Sequence, residues 1–485
     1  MIRKVTVYVG VIGVFVAAIV GILHLGAKLD QAVPPAGPPA AATASAATGV
    51  APHAAPIAHG GFFAQLVANL ADPLPLLLLQ VVVIVVAARL MGGLFRRFRQ
   101  PAVIGEMLAG ILLGPSLLGW LWPQAQTFIF PATSLGALRL LSQIGVVLFM
   151  FIVGIDLDAA HLRRMAHAAV WVSHLSITLP FLLGTALSLA LYKSLAGPGS
   201  HFTSFALFMG IAMSITAFPV LARILAERSL TQTPLGATAI ACAAVDDVSA
   251  WCLLALVVTL AKATALSGAL FTFLLTIAFV ALMLLVVKPL AARLLKGEVE
   301  SEALVALALS FVFLCALATE VIGIHALFGA FLAGVAMPRT GNVRAYLRRR
   351  LETFASALLL PLFFAFTGLR TQVGLLVGWN DWLVCAAIIA VAIAGKLGGS
   401  MVAARLTGMG WGDSFALGAL MNTRGLVELI VLNLGYDLGI LSPRVFSMMV
   451  LMALLTTFMT APLLQLHAMW KRRREPAAET ADAAA

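Results

Sequence analysis

The chain has 485 residues, is 62% hydrophobic and carries only 11% charged residues, with a mean hydropathy of +1.04. No soluble domain of this size covers its surface with so few charges. The formal net charge of +11 would suit nucleic acid, but the lysines and arginines fall in short clusters between apolar runs rather than on a separable basic domain, so no nucleic-acid partner is expected.

Apolar runs long enough to cross about 30 Å of hydrocarbon fall at residues 5–26, 74–95, 102–119, 134–155, 167–192, 202–226, 234–260, 267–288, 302–321, 323–338, 352–372, 381–404, 413–435 and 443–465. An all-α polytopic membrane protein is expected. Residues 1–30 read as an N-terminal transmembrane helix; its Met-Ile-Arg-Lys start also fits a long signal peptide or an uncleaved signal anchor. Residues 31–73 form an Ala/Pro-rich linker with too little large apolar surface for a core. The remainder divides into a first repeat with a linker helix (74–288), a second repeat (302–466) and a short basic tail (467–485) expected to be disordered. The four cysteines, Cys242, Cys252, Cys315 and Cys385, lie inside these runs without CxxC spacing, which argues against disulfides and cysteine metal sites.

With the N-terminus placed in the cytoplasm, 23 of the 31 lysines and arginines gather on that side, from Arg3/Lys4 to Lys471–Arg474. The opposite side holds Lys28, Arg139, Lys193, Lys262, Arg370 and Arg444, and Lys396 and Arg424 remain within the membrane. The positive-inside rule therefore places both termini in the cytoplasm.

Three short motifs recur in order. Gly105-Glu-Met-Leu-Ala-Gly110 returns as Gly329-Ala-Phe-Leu-Ala-Gly334, Leu148-Phe-Met-Phe-Ile-Val-Gly154 as Leu362-Phe-Phe-Ala-Phe-Thr-Gly368, and Ser204-Phe-Ala-Leu207 as Ser414-Phe-Ala-Leu417. Equivalent helices are seven apart. An odd offset inserts the halves upside down relative to each other, the inverted-repeat architecture of alternating-access carriers.

Asp246 and Asp247 sit mid-run, where one carboxylate costs roughly 2.5–3.5 kcal/mol on insertion scales. Neighbours on a helix project about 100° apart, so the two cannot face one cavity and should have different tasks. Lys396, mid-span, needs a carboxylate partner. Pro219 removes a backbone donor and predicts a kink or break near Thr216 and Ala217. The repeat mate of this segment, Met421-Asn-Thr-Arg-Gly-Leu-Val-Glu428, is polar and contains Gly425, so two interrupted helices mark a midplane site lined by Ser214, Thr216, Ala217, Asn422 and Thr423. Arg424 and Glu428, at i and i+4, can pair on one helix face as a structural ion pair. Glu106 suits either a cavity lining or an interface; His174 and His325 read as satisfied interface groups.

These residues resemble a known family. The runs VIGEMLAGILLGPSLLG (103–119), SITAFPVLARIL (214–225), AAVDDVSAW (243–251) and MNTRGLVELIVLNLG (421–435) are similar to the monovalent cation:proton antiporter-2 family, the group of Kef-type and related sodium or potassium/proton exchangers. The resemblance covers roughly 74–465. It implies a thirteen-helix inverted-repeat sodium/proton antiporter fold, here with an extra N-terminal helix, in which a core domain with two crossing unwound helices moves against a panel or dimerisation domain. It also implies an inner-membrane homodimer, an ion-binding aspartate at Asp247, and a pair between Asp246 and Lys396. Two departures stand out. Many relatives have Asn or Gln before the key aspartate, and the acidic pair is associated with electrogenic exchange in better understood branches. Kef-type systems also carry a large cytosolic nucleotide-binding domain, where this sequence has a short Ala/Glu tail, so nucleotide gating within it is not expected.

The expected activity is secondary antiport of a monovalent cation (Na⁺ or K⁺) against protons, without a cofactor and without enzymatic chemistry. Burial disfavours a charged carboxylate and a nearby cation favours it, so proton and metal ion compete for one site, with Asp247 as the ligand. Oxygen ligands suit alkali ions. A cation channel would use the same acidic lining but needs a continuous pore, and an organic-anion/sodium symporter would fit the architecture but lacks a polar recognition pocket. An intramembrane aspartyl protease needs two carboxylates facing one bond, which Asp246 and Asp247 do not offer.

Overall fold

The computed structural model describes residues 2–30, 69–70, 72–156, 166–262, 266–295, 301–338 and 342–482. Among them the chain is helical throughout, with one isolated bridge between Ala196 and Leu441. In chain order the helices are α1 (Ile2–Asp30), α2 (Pro73–Arg97), α3 (Ala102–Leu113), α4 (Leu135–Asp156), α5 (Ala166–Leu195), α6 (Phe202–Ser214), α7 (Phe218–Glu227) and α8 (Pro234–Lys262). Next come α9 (Leu266–Ala281), prolonged by a π-helical turn and Lys288–Leu294, then α10 (Glu302–Ile322) and α11 (Ala326–Ala336). α12 (Val343–Phe354) passes through a π turn into α13 (Leu360–Arg370), and α14 (Trp379–Ile393) likewise into α15 (Gly399–Leu406). The chain ends with α16 (Trp411–Met421), α17 (Leu426–Asp437) and α18 (Pro443–Asp482).

Among the described residues, eleven helices are long and apolar enough to cross a membrane, or twelve when the bent pair α16–α17 counts as one span. The sequence reading had fourteen runs. Two of its spans, 202–226 and 323–338, are the short helices α6 and α11 with their neighbours, and α11 at 11 residues is about 16 Å long, too short to cross alone. Two boundaries also shift. α12 begins at Val343 rather than near 352, because Val343, Tyr346, Leu347 and Leu351 form a buried stripe at helical spacing beneath the arginines. The tail, expected to be disordered from 467, continues the last helix to Asp482; its Ala, Arg, Lys and Glu residues are strong helix formers. Most of the 31–73 linker lies outside the described residues.

Local signals set individual ends. α10 starts at Ser301, whose hydroxyl accepts the Leu304 N–H at 3.2 Å, and stops at Gly323, whose φ of +100° suits a residue without a side chain.

The repeat motifs meet reciprocally. Gly154 of α4 packs on the Phe331 carbonyl and Gly334 of α11, while Gly110 of α3 packs on Ala365 and Gly368 of α13. A β-carbon at any of these glycines would run into a neighbour's backbone, so the small residues let the helices touch. In each crossing, the second helix of one half meets the third panel helix of the other. That is the exchange a pseudo-two-fold axis produces.

Charged residues assigned to one side by sequence also meet in space. Asp156 pairs with Arg348 at 3.2 Å, and His467 approaches Asp413 to 3.7 Å, on the arginine-rich side. At the other end Arg139 pairs with Asp437 at 2.9 Å, and Arg444 lies 3.6 Å from Asp381. α1 docks at that second end. Its Asp30 Oδ1 accepts the Tyr192 hydroxyl at 2.5 Å and the Phe202 N–H at 2.7 Å, and Gly26 lies against the Phe202 ring.

Candidate functional site

The first interrupted helix ends as α6 at Ser214, runs extended through Ile215 and resumes as α7 at Phe218, with Pro219 in its opening turn. The second ends as α16 at Met421 and resumes as α17 at Leu426. The breaks cross: the Ala217 N–H donates to the Thr423 carbonyl at 2.9 Å, and the Thr216 hydroxyl donates to the Met421 carbonyl at 3.0 Å. Gly425 lies against Ala217 and Val220, a side chain at this position being too large for the approach. Freed backbone groups are thus partly satisfied by the opposite repeat rather than by lipid.

α8 carries the aspartates against this crossing. Asp246 is fully buried and well partnered: its Oδ2 accepts from Lys396 Nζ at 2.7 Å and, at 2.7 Å, shares the single Thr216 hydroxyl proton with the Met421 carbonyl, and its Oδ1 accepts from the Ser173 hydroxyl at 2.5 Å. Lys396 spends its other two N–H groups on the carbonyls of Ser176 (3.0 Å) and Ser214 (2.5 Å). All three ammonium protons are used. The lysine sits in the π turn Ala394–Gly398, the kind of local widening that places side chains at functional positions. The pair expected from sequence is therefore present, held by four separate elements.

Asp247, one residue on, differs completely. It is 2% exposed, and neither carboxylate oxygen reaches a hydrogen-bond partner among the described residues, although the Phe218 amide at the start of α7 is directed toward it. Asn422, in the second break, is likewise fully buried with both side-chain polar atoms unpartnered. Most buried polar groups are paired, so Asp247 and Asn422, with the Glu428 carboxylate in the first turn of α17, leave polar capacity unused at the crossing.

Other assigned residues have different occupations. The Ser214 hydroxyl turns back to the Gly210 carbonyl at 2.7 Å, and only its carbonyl faces the hub. Thr423 Oγ1 lies 3.2 Å from Thr460 Oγ1. Arg424 lies in the break rather than on a helix. Its guanidinium donates to the carbonyls of Ala212 and Met213, both at 2.7 Å, and Glu428 stands 3.6 Å away in the first turn of α17 without a hydrogen bond. Arg424 and Lys396 together take the last carbonyls of α6, where the helix dipole is negative. Glu106 is buried in α3, in the field of Arg89, Arg96 and Arg223. His325 caps α11, its Nδ1 accepting from the Leu327 N–H at 3.4 Å.

Four residues at the site escaped sequence reading. Ser173 and Ser176 hold Asp246 and Lys396; their i, i+3 spacing in an apolar helix was the available signal. Thr457 both accepts from the Arg424 N–H and donates to its carbonyl, each at 2.9 Å, and Thr460 meets Thr423, so α18 carries a hydroxyl stripe that braces the second break.

A profile described as sodium/hydrogen exchanger, transmembrane, matches residues 82–466. The chain belongs to the sodium/hydrogen exchanger family. It is 46% identical over 397 residues to the Na(+)/H(+) antiporter NhaS4 of Synechocystis, a match covering 81% of this chain and 97% of that protein. It is 44% identical over 399 residues to cation/H(+) antiporter 17 of Arabidopsis thaliana, again over 81% of the chain, which spans about half (48%) of that relative. The fold matches the sodium proton antiporter MjNhaP1 of Methanocaldococcus jannaschii with a TM-score of 0.57, at 15% identity, over 80% of this chain and 95% of that one.

Proposed function

We propose that the protein is a secondary antiporter that exchanges a monovalent cation for protons by alternating access, with Asp247 as the carboxylate that holds either. The observation that carries this reading is the contrast on α8: Asp246 is held by Lys396, Thr216 and Ser173, while Asp247 is buried beside it with no side-chain partner and only the Phe218 amide directed toward it. Lys396 neutralises the first carboxylate. The second can then take a proton or a dehydrated alkali ion, with Asn422 supplying a further oxygen, and one occupant displaces the other. Membership of an exchanger family and the antiporter names of its relatives support the same reading.

The assignment of Asp246 and Lys396 is to hold the crossing and set its charge, and that of Arg424 with Glu428 is to fix the end of α6. The lysine and arginine distribution supports cytoplasmic termini, and the family resemblance supports an inner-membrane homodimer, which completes the proposal. The contacts of Asp30 and Gly26 support α1 remaining attached to the helices it caps.

The test is reconstitution into liposomes containing a pH-sensitive dye, with Na⁺, K⁺ or Li⁺ added under a clamped membrane potential. Wild type moves protons in response to at least one cation, and Asp247→Asn does not. Full activity in a correctly folded Asp247→Asn protein removes the assignment.

A further inference from the structure

At the end of the bundle opposite the arginine-rich side, α17 leaves the crossing and meets the panel helices in a compact polar cluster. Arg370 of α13 donates through Nη1 to Asn433 Oδ1 at 2.8 Å and through Nη2 to Asp437 Oδ1. The other oxygen of Asp437 pairs with Arg139 of α4 at 2.9 Å. Asn433 Nδ2 donates to Thr367 of α13 at 2.9 Å, and the Arg370 guanidinium stacks 4.4 Å from the Tyr436 ring centroid. One carboxylate of α17 is thus gripped by arginines from two different panel helices.

The cluster stands on the rim of a cavity of about 630 Å³ between the two sets of helices. Its lining includes Arg139 and Arg370, Val147 and Phe363 of the panel helices, and Ile430 of α17, about one turn beyond the second break. α17 packs on α6 and α18 of the core, whereas α13 packs on α2, α3 and α4 of the panel. The polar links therefore join helices that each pack mainly within their own set, beside an apolar seam in which Phe363 and Ile430 belong to one continuous core. α17 is an uninterrupted helix whose 12 residues span about 18 Å, with the break and Glu428 at one end and Asp437 at the other.

We infer that Arg139, Asp437 and Arg370 form a latch between panel and core that closes this face of the protein and must open once in each transport cycle. The inference rests on the antiport reading above. Movement of the second break, as the ion site changes occupant, is carried along α17 and pulls Asp437 from the arginines. The three residues are positioning residues: they touch neither cation nor transferred proton, and they set how long the site faces each side.

Two experiments in proteoliposomes test this. In a Cys252→Ser background, which removes the exposed native thiol, Arg370→Cys and Asp437→Cys are combined and bridged by a short bifunctional thiol reagent with a reducible spacer. Bridging abolishes cation-driven proton movement and reduction restores it. Exchange that continues at the unbridged rate in the bridged protein overturns the latch. If this double variant is inactive even when reduced, Asp437→Asn decides. Loss of the latch favours the state open to this face, so the apparent cation affinity rises about fivefold for cation offered from this face and falls for cation offered from the other; at about 1.4 kcal/mol per factor of ten, this is about 1 kcal/mol. Asp437→Glu returns both values toward wild type. Equal change on the two faces, or no change on either, contradicts the proposal. Absence of exchange in wild type itself would count against antiport and not against the latch.

Discussion

The inverted repeat makes two kinds of helix crossing in one molecule, and they are built from opposite chemistry. In the panel, Gly154 meets Gly334 and Gly110 meets Gly368, with backbone against backbone and nothing polar to rearrange. In the core, the two broken helices cross through Thr216, Ala217, Asn422 and Thr423, where backbone groups, two cations (Lys396 and Arg424) and three carboxylates (Asp246, Asp247 and Glu428) are buried together. Close apolar contact gives a rigid frame because packed interiors deform little. A polar crossing with unpartnered groups retains alternatives: under the proposed function, a proton or cation on Asp247 would change the charge there. The same symmetry serves as support in one place and as a site in the other.

The largest effect that would sharpen this contrast is Asp247→Asn, which should reduce cation-driven proton movement to the level of protein-free vesicles while leaving the thermal midpoint near that of wild type; retained exchange breaks the comparison at its centre. Next is Lys396→Ala, which leaves Asp246 buried and unpaired at a cost of about 3–5 kcal/mol. It should lower the thermal midpoint sharply and alter the pH profile of exchange. Adding Asp246→Asn should recover much of the stability, and a double variant no more stable than Lys396→Ala would mean the ion pair does not hold the crossing. In the panel, Gly334→Leu forces a side chain into the Phe151 backbone, with an overpacking penalty of about 1–3 kcal/mol. It should lower stability without shifting the pH profile, and a shifted profile would show that frame and site are not separable. The smallest effect is Thr457→Val. It removes both links to the Arg424 backbone, worth about 1 kcal/mol each, and should slow exchange modestly; an unchanged rate and midpoint would leave the second break braced by other contacts.

Much of this was legible in the residues themselves. Glycine motifs at matching offsets announced the repeat, though not that Gly154 meets Gly334 and Gly110 meets Gly368. Pro219 and Gly425 marked the two breaks. That Asp246 and Asp247 point in different directions followed from helical geometry, and Lys396 was an unpaired cation in want of a carboxylate; the pairing of Lys396 with Asp246 came from the family resemblance. The rest depended on which way short side chains turn. Ser214 and Thr423 were assigned to the lining, yet their hydroxyls bond to Gly210 and Thr460. Arg424 was placed on a helix face by its i, i+4 spacing to Glu428, but the break begins before it and its guanidinium reaches the end of α6 instead. Ser173 and Ser176 lie about seventy residues from Asp246 in sequence, and no local pattern joins them to it. Tertiary partners of this kind have no periodicity to betray them.

The central claim is that one of two adjacent aspartates exchanges proton for cation and the other does not. It is tested most directly by adding Na⁺, K⁺ or Li⁺ to weakly buffered, detergent-solubilised protein and recording proton release with a pH dye, for wild type, Asp247→Asn and Asp246→Asn. Release in wild type and in Asp246→Asn, with none in Asp247→Asn, is the predicted result. Release that survives in Asp247→Asn and vanishes in Asp246→Asn would assign the exchange to the carboxylate held by Lys396 and contradict the account.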